Sequence, residues 1–292
     1  MFKYIAKSSY QTIYGKVGYL FLFTLISLSF IHTLLLGSTI WPESIYDPIV
    51  GFDIEIFPHP TSPSTSHLLG TDPLGRDVLS MLMAGSSPLI QLSITSFTIG
   101  LIICMFLGSV IPYVFKKTDY IFKEISSGFI LLPPPIVLLI LGTGEFTDNL
   151  HPSVVGVIYG LLSGFGVSYL VIRVKVLEIV NAEFIKASKL LGASNYYISI
   201  KHMMPVLIPY GVSLMLTSTT YGIIAYGFAS FFGQVGWTPN WGMMIYDAIT
   251  YGSFLGGINY WNLIPPTLGF LLCSSSFYLL SVSVKKQFGI SI

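Results

Sequence analysis

Apolar residues along this chain gather into long runs separated by a few polar segments. A helix that crosses a bilayer needs about 20 mostly apolar residues. Six runs approach or exceed that length: 17–40, 88–115, 125–141, 153–172, 209–232 and 262–284. The pattern predicts an all-α integral membrane protein with six transmembrane helices. The third run holds Pro133, Pro134 and Pro135 in succession, which removes backbone donors and must bend the helix or start it anew. Such a break is tolerated at membrane depth where protein or a cavity covers the freed carbonyls. A pathway-lining segment and a merely kinked structural helix both fit.

Two polar interruptions carry most of the local information. The stretch EFIKASKLLGASNYYISIKHMMP at 183–205 lies between the fourth and fifth runs. Its spacing predicts two short helices. Phe184, Ala187, Ser188 and Leu191 share one stripe of the first, Gly192 breaks it, and Pro205 closes the second. The stretch HLLGTDPLGRD at 67–77 precedes the second run. Asp72 before Pro73 predicts a helix start with the carboxylate as cap. Gly70 and Gly75 suit tight turns, and Arg76 beside Asp72 and Asp77 predicts a local ion pair at the water boundary, worth about 0–1 kcal/mol.

Composition places the chain firmly in a bilayer. Of 292 residues, 53% are apolar, 15% aromatic and only 9% charged, against about 25% charged in soluble domains. Charge then supplies an orientation. With a cytoplasmic N-terminus, 13 of the 14 Lys and Arg residues fall on inner segments and only Arg76 lies outside. That reading puts both termini and residues 173–208 in the cytoplasm, and residues 1–16 become a cytoplasmic segment before a retained first span. Acids lean outward, at Glu43, Asp47, Asp53, Glu55, Asp72, Asp77, Glu145, Asp148 and Asp247. No Asp, Glu, Lys or Arg lies deep within a run, and His32 is the sole intramembrane titratable residue of that reading. Ion-coupled carriers place ionisable groups in the membrane to move charge, so this chain offers no internal energy coupling. A lone histidine on an apolar helix is ordinarily a hydrogen-bonded packing residue. Cys104 and Cys273 sit inside apolar runs and read as inert side chains.

Residues 183–205, with small residues, Gly192 and then the His202-x-x-Pro205 ending, resemble the coupling loop of ABC importer permeases. HLLGTDPLGRD resembles the signature of the C-type permease subunit of dipeptide and oligopeptide importers, with Leu68 where that family usually has Pro. FFGQVGWTPNWGMMI at 231–245 is similar to the family's Gly-rich outer segment. The likeness covers nearly the whole chain from residue 67 onward. Departures fall at Lys186, where the family usually has an acid, at Phe115 and Lys116 in an inner loop, and in the C-terminal tail.

The resemblance implies a type I permease with both termini cytoplasmic. Residues 17–66 would form the first span and outer loop, and 67–292 the permease core. Glu183, Phe184, Ala187, Ser188, Leu191, Gly192, His202 and Pro205 become candidates for coupling to an ATPase. His67, Gly70, Thr71, Asp72, Gly75, Arg76 and Asp77 form an outer structural or docking signature. Trp237, Pro239, Trp241 and Gly242 are candidates for an outer gate. The aromatic residues of 233–261 read first, however, as an interfacial belt. Implied partners are two ATP-binding subunits, a second homologous permease, an extracytoplasmic solute-binding protein and the lipid bilayer of the cell membrane. ATP and Mg would sit on the partner subunits, with no cofactor on this chain. Substrates implied are di- or oligopeptides, with oligosaccharides or a metal chelate as alternatives.

Other classes find less support. The chain has no phosphate-loop motif, no metal-ligand spacing, no nucleophile with an adjacent base and no basic stripe for nucleic acid. A stand-alone channel or ion-coupled carrier is the alternative from another class.

Overall fold

A computed structural model describes residues 2–56, 58–143, 151–233, 239–254 and 257–290. Those residues are overwhelmingly helical. The elements are α1 (Phe2–Tyr10), α2 (Ile13–Leu35), α3 (Glu43–Tyr46), α4 (Val78–Val114), α5 (Asp119–Leu131), α6 (Pro134–Thr143), α7 (Pro152–Ser163), α8 (Tyr169–Ile179), α9 (Glu183–Leu190), α10 (Asn195–Ile198), α11 (Met204–Gly233), α12 (Trp241–Phe254) and α13 (Tyr260–Phe288). A kinked turn, Gly164–Ser168, with Gly166 in a non-helical conformation, joins α7 to α8, and a π-helical turn, Ser199–Met203, joins α10 to α11.

Among the described residues, five continuous helices are long and apolar enough to cross a membrane. The α5–α6 pair makes a sixth span if its two halves count as one, and it bends by 75° at the break. The triple proline sits at that break, as its chemistry requires. α2 is the most peripheral span, with Leu20, Phe23, Phe30 and Leu34 all more than half exposed. At its foot α1 docks across α13, where Ser283 Oγ donates to Ser9 O at 2.8 Å and lies 2.6 Å from Thr12 Oγ1. His32 is buried, and its Nε2 has no hydrogen-bond partner among the described residues.

The core centres on α4, which touches α2, α7, α8, α11, α12 and α13. α7 approaches it most closely. Gly156, Gly160 and Gly164, each four residues apart, present a smooth stripe to α4, and a Cβ at Gly156 would overlap Thr95 and the Leu92 backbone. In a membrane, where burying apolar surface from lipid supplies little driving force, such backbone approach is a main source of helix association.

Three predicted boundaries are corrected. The helix after the signature begins at Val78, not at Asp72. Asp77 is its N-cap, accepting from Ser80 N–H at 2.7 Å. Asp72 instead closes the turn before it, its Oδ1 accepting from the N–H of Leu74 at 3.0 Å and of Arg76 at 2.8 Å. Pro205 does not close the second short helix. One helical stretch runs from Asn195 to Phe232, and the π turn just before Pro205 relaxes the ladder where the ring would crowd the preceding turn. The fourth span is likewise longer than its apolar run, continuing past a kink at Gly166 to Ile179.

Candidate functional site

The signature residues lie at the start of α4 and the residues expected to couple to an ATPase at its end, so the bundle has a cap end and an expected coupling end.

At the cap end the charged residues form a buried network rather than a surface pair. Arg76 Nε and Nη2 donate to Asp72 Oδ2 at 2.8 and 2.5 Å, and Nη2 also reaches Asp247 Oδ2 on α12 at 2.6 Å. The three side chains are only 13%, 7% and 8% exposed. Burial pulls the Arg76 guanidinium downward, but Asp72 and Asp247 outweigh it and hold the group above its ordinary range. Burial also lifts the Asp247 carboxyl, against the pull of Arg76. The expected local ion pair forms with Asp72 and not with Asp77, because Asp77 belongs to a second cluster. His67, fully buried, places Nδ1 2.8 Å from Asp77 Oδ1 and Nε2 3.3 Å from Asp53 Oδ2. The hydrogen bond to Asp77 raises the imidazole pKa above 6.5, with Asp53 adding to it and burial opposing it.

Three indoles fasten the same region. Trp41 Nε1 donates to Ser80 Oγ at 2.8 Å, Trp241 Nε1 to Leu82 O at 2.9 Å and Trp261 Nε1 to Thr71 O at 3.3 Å. Trp241 is 1% exposed and packs against Gly85, Gly269 and Phe270. The interfacial-belt reading therefore fails for Trp241, while Tyr260, 75% exposed, remains compatible with it. Gly242 lies tightly against Ser230 and the Gly227 backbone. Pro239 is half-buried, and Trp237 falls outside the described residues. Thr71 is buried, its Oγ1 accepting from Thr61 N–H at 2.8 Å. Gly70 N–H donates to His67 O at 2.9 Å, and Gly75 lies under the Phe52 ring.

The coupling end has the opposite character. Ile185 of α9 is fully buried, as are Ile198 and Met203 beyond it, and they anchor the segment. Ser199 Oγ donates to Ser109 O at 2.9 Å, and Lys189 Nζ lies 5.2 Å from the Tyr113 ring centroid, so the segment rests on the last turns of α4. Its other face is bare. Leu190 and Leu191 are 89% and 88% exposed, flanked by exposed Phe184, Tyr196 and Tyr197. Ala187 is exposed and Ser188 half-buried, its hydroxyl donating to Phe184 O. Glu183 pairs with Lys186 at 2.9 Å in solvent. His202 is half-buried with its ring edge on Tyr197, and Pro205 is half-buried within the continuous helix.

Gly192 sets the turn. Its φ is +81°, its N–H donates to Lys189 O at 3.0 Å, and Ala193 N–H donates to Ser188 O at 3.1 Å. That is a Schellman closure, which needs a residue at ease in the left-handed region. Ser194 then caps the next helix by accepting from Tyr197 N–H.

Midway along the bundle the two broken helices face each other. Ser126 Oγ donates at 2.9 Å to the carbonyl of Gly166, whose ψ of −128° is non-helical. A cavity of about 550 Å³ opens beside them, lined among others by Phe129, Leu132, Pro135, Tyr159, Val167 and Tyr221. No carboxylate or imidazole is among its described lining residues. At one end of the α5–α8 pair, Arg173 makes a two-point contact with Asp119, Nε to Oδ1 at 2.8 Å and Nη2 to Oδ2 at 2.6 Å. Sequence reasoning missed this pair, since 54 residues separate the partners. It also missed the Arg76–Asp247 bridge. The glycine stripe of α7 was visible in the sequence as Gly156-x-x-x-Gly160-x-x-x-Gly164.

The model of the family described as binding-protein-dependent transport system inner membrane component matches residues 100–288. The chain is 28% identical over 221 residues to the dipeptide transport system permease protein DppC of Bacillus subtilis, covering 75% of this chain and 67% of that one. It is 27% identical over 224 residues to the oligopeptide transport system permease protein OppC of Lactococcus lactis subsp. cremoris, covering 75% and 74%. The nickel transport system permease protein NikC of Escherichia coli K12 is 28% identical over 238 residues, covering 78% and 79%.

Proposed function

This chain belongs to the binding-protein-dependent transport system inner membrane components, as an ABC importer permease of the C type, and on that premise we propose that it translocates di- or oligopeptides delivered by an extracytoplasmic binding protein. It is a transport subunit rather than an enzyme. ATP and Mg act on two partner ATPase subunits at the coupling end, and a second, homologous permease completes the pathway. Residues 1–16 are a cytoplasmic segment, 17–66 the first span and outer loop, and 67–292 the permease core with its coupling loop at 183–205. Both termini are cytoplasmic, six spans cross the cell membrane, and the cap end faces outward.

The observation that carries the coupling assignment is the bare apolar face of Phe184, Leu190 and Leu191 on a helix whose opposite side is anchored by Ile185. An exposed apolar patch of this kind calls for a protein partner. Closure of the ATPase pair on binding ATP would grip it, and the anchor transmits the movement to α4 and α11. ATP shifts the conformational balance only by the difference in its affinity for the two states.

Peptide is favoured over a nickel ion by the cavity, whose described lining offers aromatic, aliphatic and hydroxyl groups and the cationic Lys285, with no carboxylate or imidazole ligand. Such a surface tolerates varied side chains. The similarity to NikC keeps a metal chelate as the second reading.

The test is peptide uptake and binding-protein-stimulated ATPase activity of the reconstituted complex, with Gly192→Pro beside wild type. Proline cannot adopt the φ of +81° or supply the N–H to Lys189. Uptake and stimulation should both collapse while the complex still assembles. Unchanged uptake would remove the coupling assignment, and uptake of chelated nickel in place of peptide would replace the substrate.

A further inference from the structure

The deepest charge cluster at the cap end is used by none of the steps above. Asp77 is committed as the N-cap of α4, its Oδ2 accepting from Ser80 N–H at 2.7 Å. Its other oxygen meets His67 Nδ1 at 2.8 Å. On the far side of the ring, Asp53 Oδ2 lies 3.3 Å from Nε2. Two carboxylates therefore flank one fully buried imidazole, and both ring nitrogens must donate for both carboxylates to be satisfied. Only the imidazolium has two N–H donors. A neutral ring would turn a lone pair toward one carboxylate, in a place where an unpaired buried charge is costly.

The surroundings leave this charge to His67. From the cap loop, Tyr46 lies tilted against the ring, centroids 5.6 Å apart, and Glu55 is exposed, its N–H donating to Asp53 Oδ1. His59 Nε2 is bonded to the backbone oxygen of Asp53 rather than to its carboxylate. From the signature turn, Arg76 is engaged by Asp72 and Asp247. Among the described residues, His67 is the cation within hydrogen-bonding distance of both Asp53 and Asp77.

The two carboxylates are not equivalent. Asp77 is held by the helix start, whereas Asp53 rides on residues 51–56, a loop piece with exposed Phe52, Ile54 and Glu55. Its bond to the ring is the longer one. Loss of the proton would leave Nδ1–H on Asp77 and set the Nε2 lone pair against Asp53. We propose that His67, as an imidazolium, is the positioning residue that latches the 47–56 segment onto the start of α4, and that losing its proton unlatches that segment. The inference rests on the proposed outward orientation for its physiological meaning, since external alkalinity would then loosen the surface that meets the binding protein.

The sign follows from the raised pKa. Latching is complete below the ordinary histidine value of 6.5 and is lost as pH rises through the higher value of the folded protein. Asp53→Asn makes a discriminating variant. An asparagine that keeps its oxygen on Glu55 N–H presents its NH₂ to Nε2, where the lone pair of a neutral ring accepts it, so the latch no longer depends on the proton.

The experiment is hydrogen–deuterium exchange of peptides covering residues 47–56 in the assembled transporter in lipid nanodiscs. Wild type and Asp53→Asn are compared at matched pH from about 6 to about 9, spanning the histidine range, so that intrinsic exchange cancels. The wild-type to variant rate ratio should stay near unity at the acid end and rise to about tenfold or more at the alkaline end. His67→Gln, neutral throughout, should exchange fast at every pH. A ratio that stays flat across the range, or a His67→Gln segment as protected as wild type at the acid end, would overturn the latch. The readout does not need transport, so a failure of the importer reading would appear separately, as absent uptake with the exchange pattern intact.

Discussion

The two ends of the bundle handle polarity and exposure in opposite ways. At the cap end, charged and aromatic polar groups are buried and paired: Arg76 with Asp72 and Asp247, His67 with Asp53 and Asp77, and three indole N–H groups on residues 71, 80 and 82. At the coupling end, apolar groups are exposed, with Leu190 and Leu191 almost fully in the open. A buried charge network holds a shape, because removing one member strands the others. An exposed apolar patch contributes almost nothing to the isolated chain and takes its meaning from a partner. Substitutions at the first end should therefore register in stability, and those at the second in function.

Arg76→Ala offers the largest break in that contrast. It leaves Asp72 and Asp247 buried without their cation and should cost about 3–5 kcal/mol, seen as a clear drop in the thermal midpoint of the purified complex. Arg76→Lys keeps the charge but loses the two-point fork, so its midpoint should fall between those of Arg76→Ala and wild type. A midpoint for Arg76→Ala within error of wild type would mean the network is dispensable. Next in size, Gly156→Val forces α7 away from Leu92 and Thr95 on α4. Overpacking of this kind costs about 1–3 kcal/mol, and cross-linking between cysteines placed on α4 and α7 should weaken in step. The smallest stability effect belongs to a Leu190→Ser, Leu191→Ser double variant. Its fold should change by no more than about 0.5 kcal/mol per site, while co-purification with the ATPase subunits and peptide uptake both fall sharply. If the double variant instead unfolded the chain and kept its partners, the contrast between the two ends would collapse.

Legibility differed in the same direction. The 183–205 segment is local: its helix, its glycine turn and its exposed apolar residues all lie within a few residues of one another. Spacing alone placed Phe184, Ala187, Ser188 and Leu191 on one face and Gly192 at the break; the observed turn agrees at Gly192, while Ser188 is half-buried. Where locality ended, so did the reading. Pro205 was expected to stop a helix, but packing against neighbouring spans carries the helix through it by way of a π turn. Asp72 looked like a helix cap from its neighbour Pro73, yet Asp77, five residues later, took that role while Asp72 was drawn to Arg76.

What the sequence determined by itself follows from forces that act along the chain. Run length and the scarcity of charge dictate membrane-spanning helices, because an unpaired backbone or a charge in hydrocarbon is too costly to sustain. Three successive prolines dictate the break between α5 and α6, because they lack the N–H groups a continuous helix would use. Only the tertiary structure decided which groups meet across the bundle. Asp247 lies 171 residues from Arg76, Arg173 lies 54 from Asp119, and Gly166 lies 40 from the serine that satisfies its carbonyl. Those pairings arise when helices set their mutual positions, through the glycine stripe of α7 and the burial of Trp241, and no period along the chain encodes them.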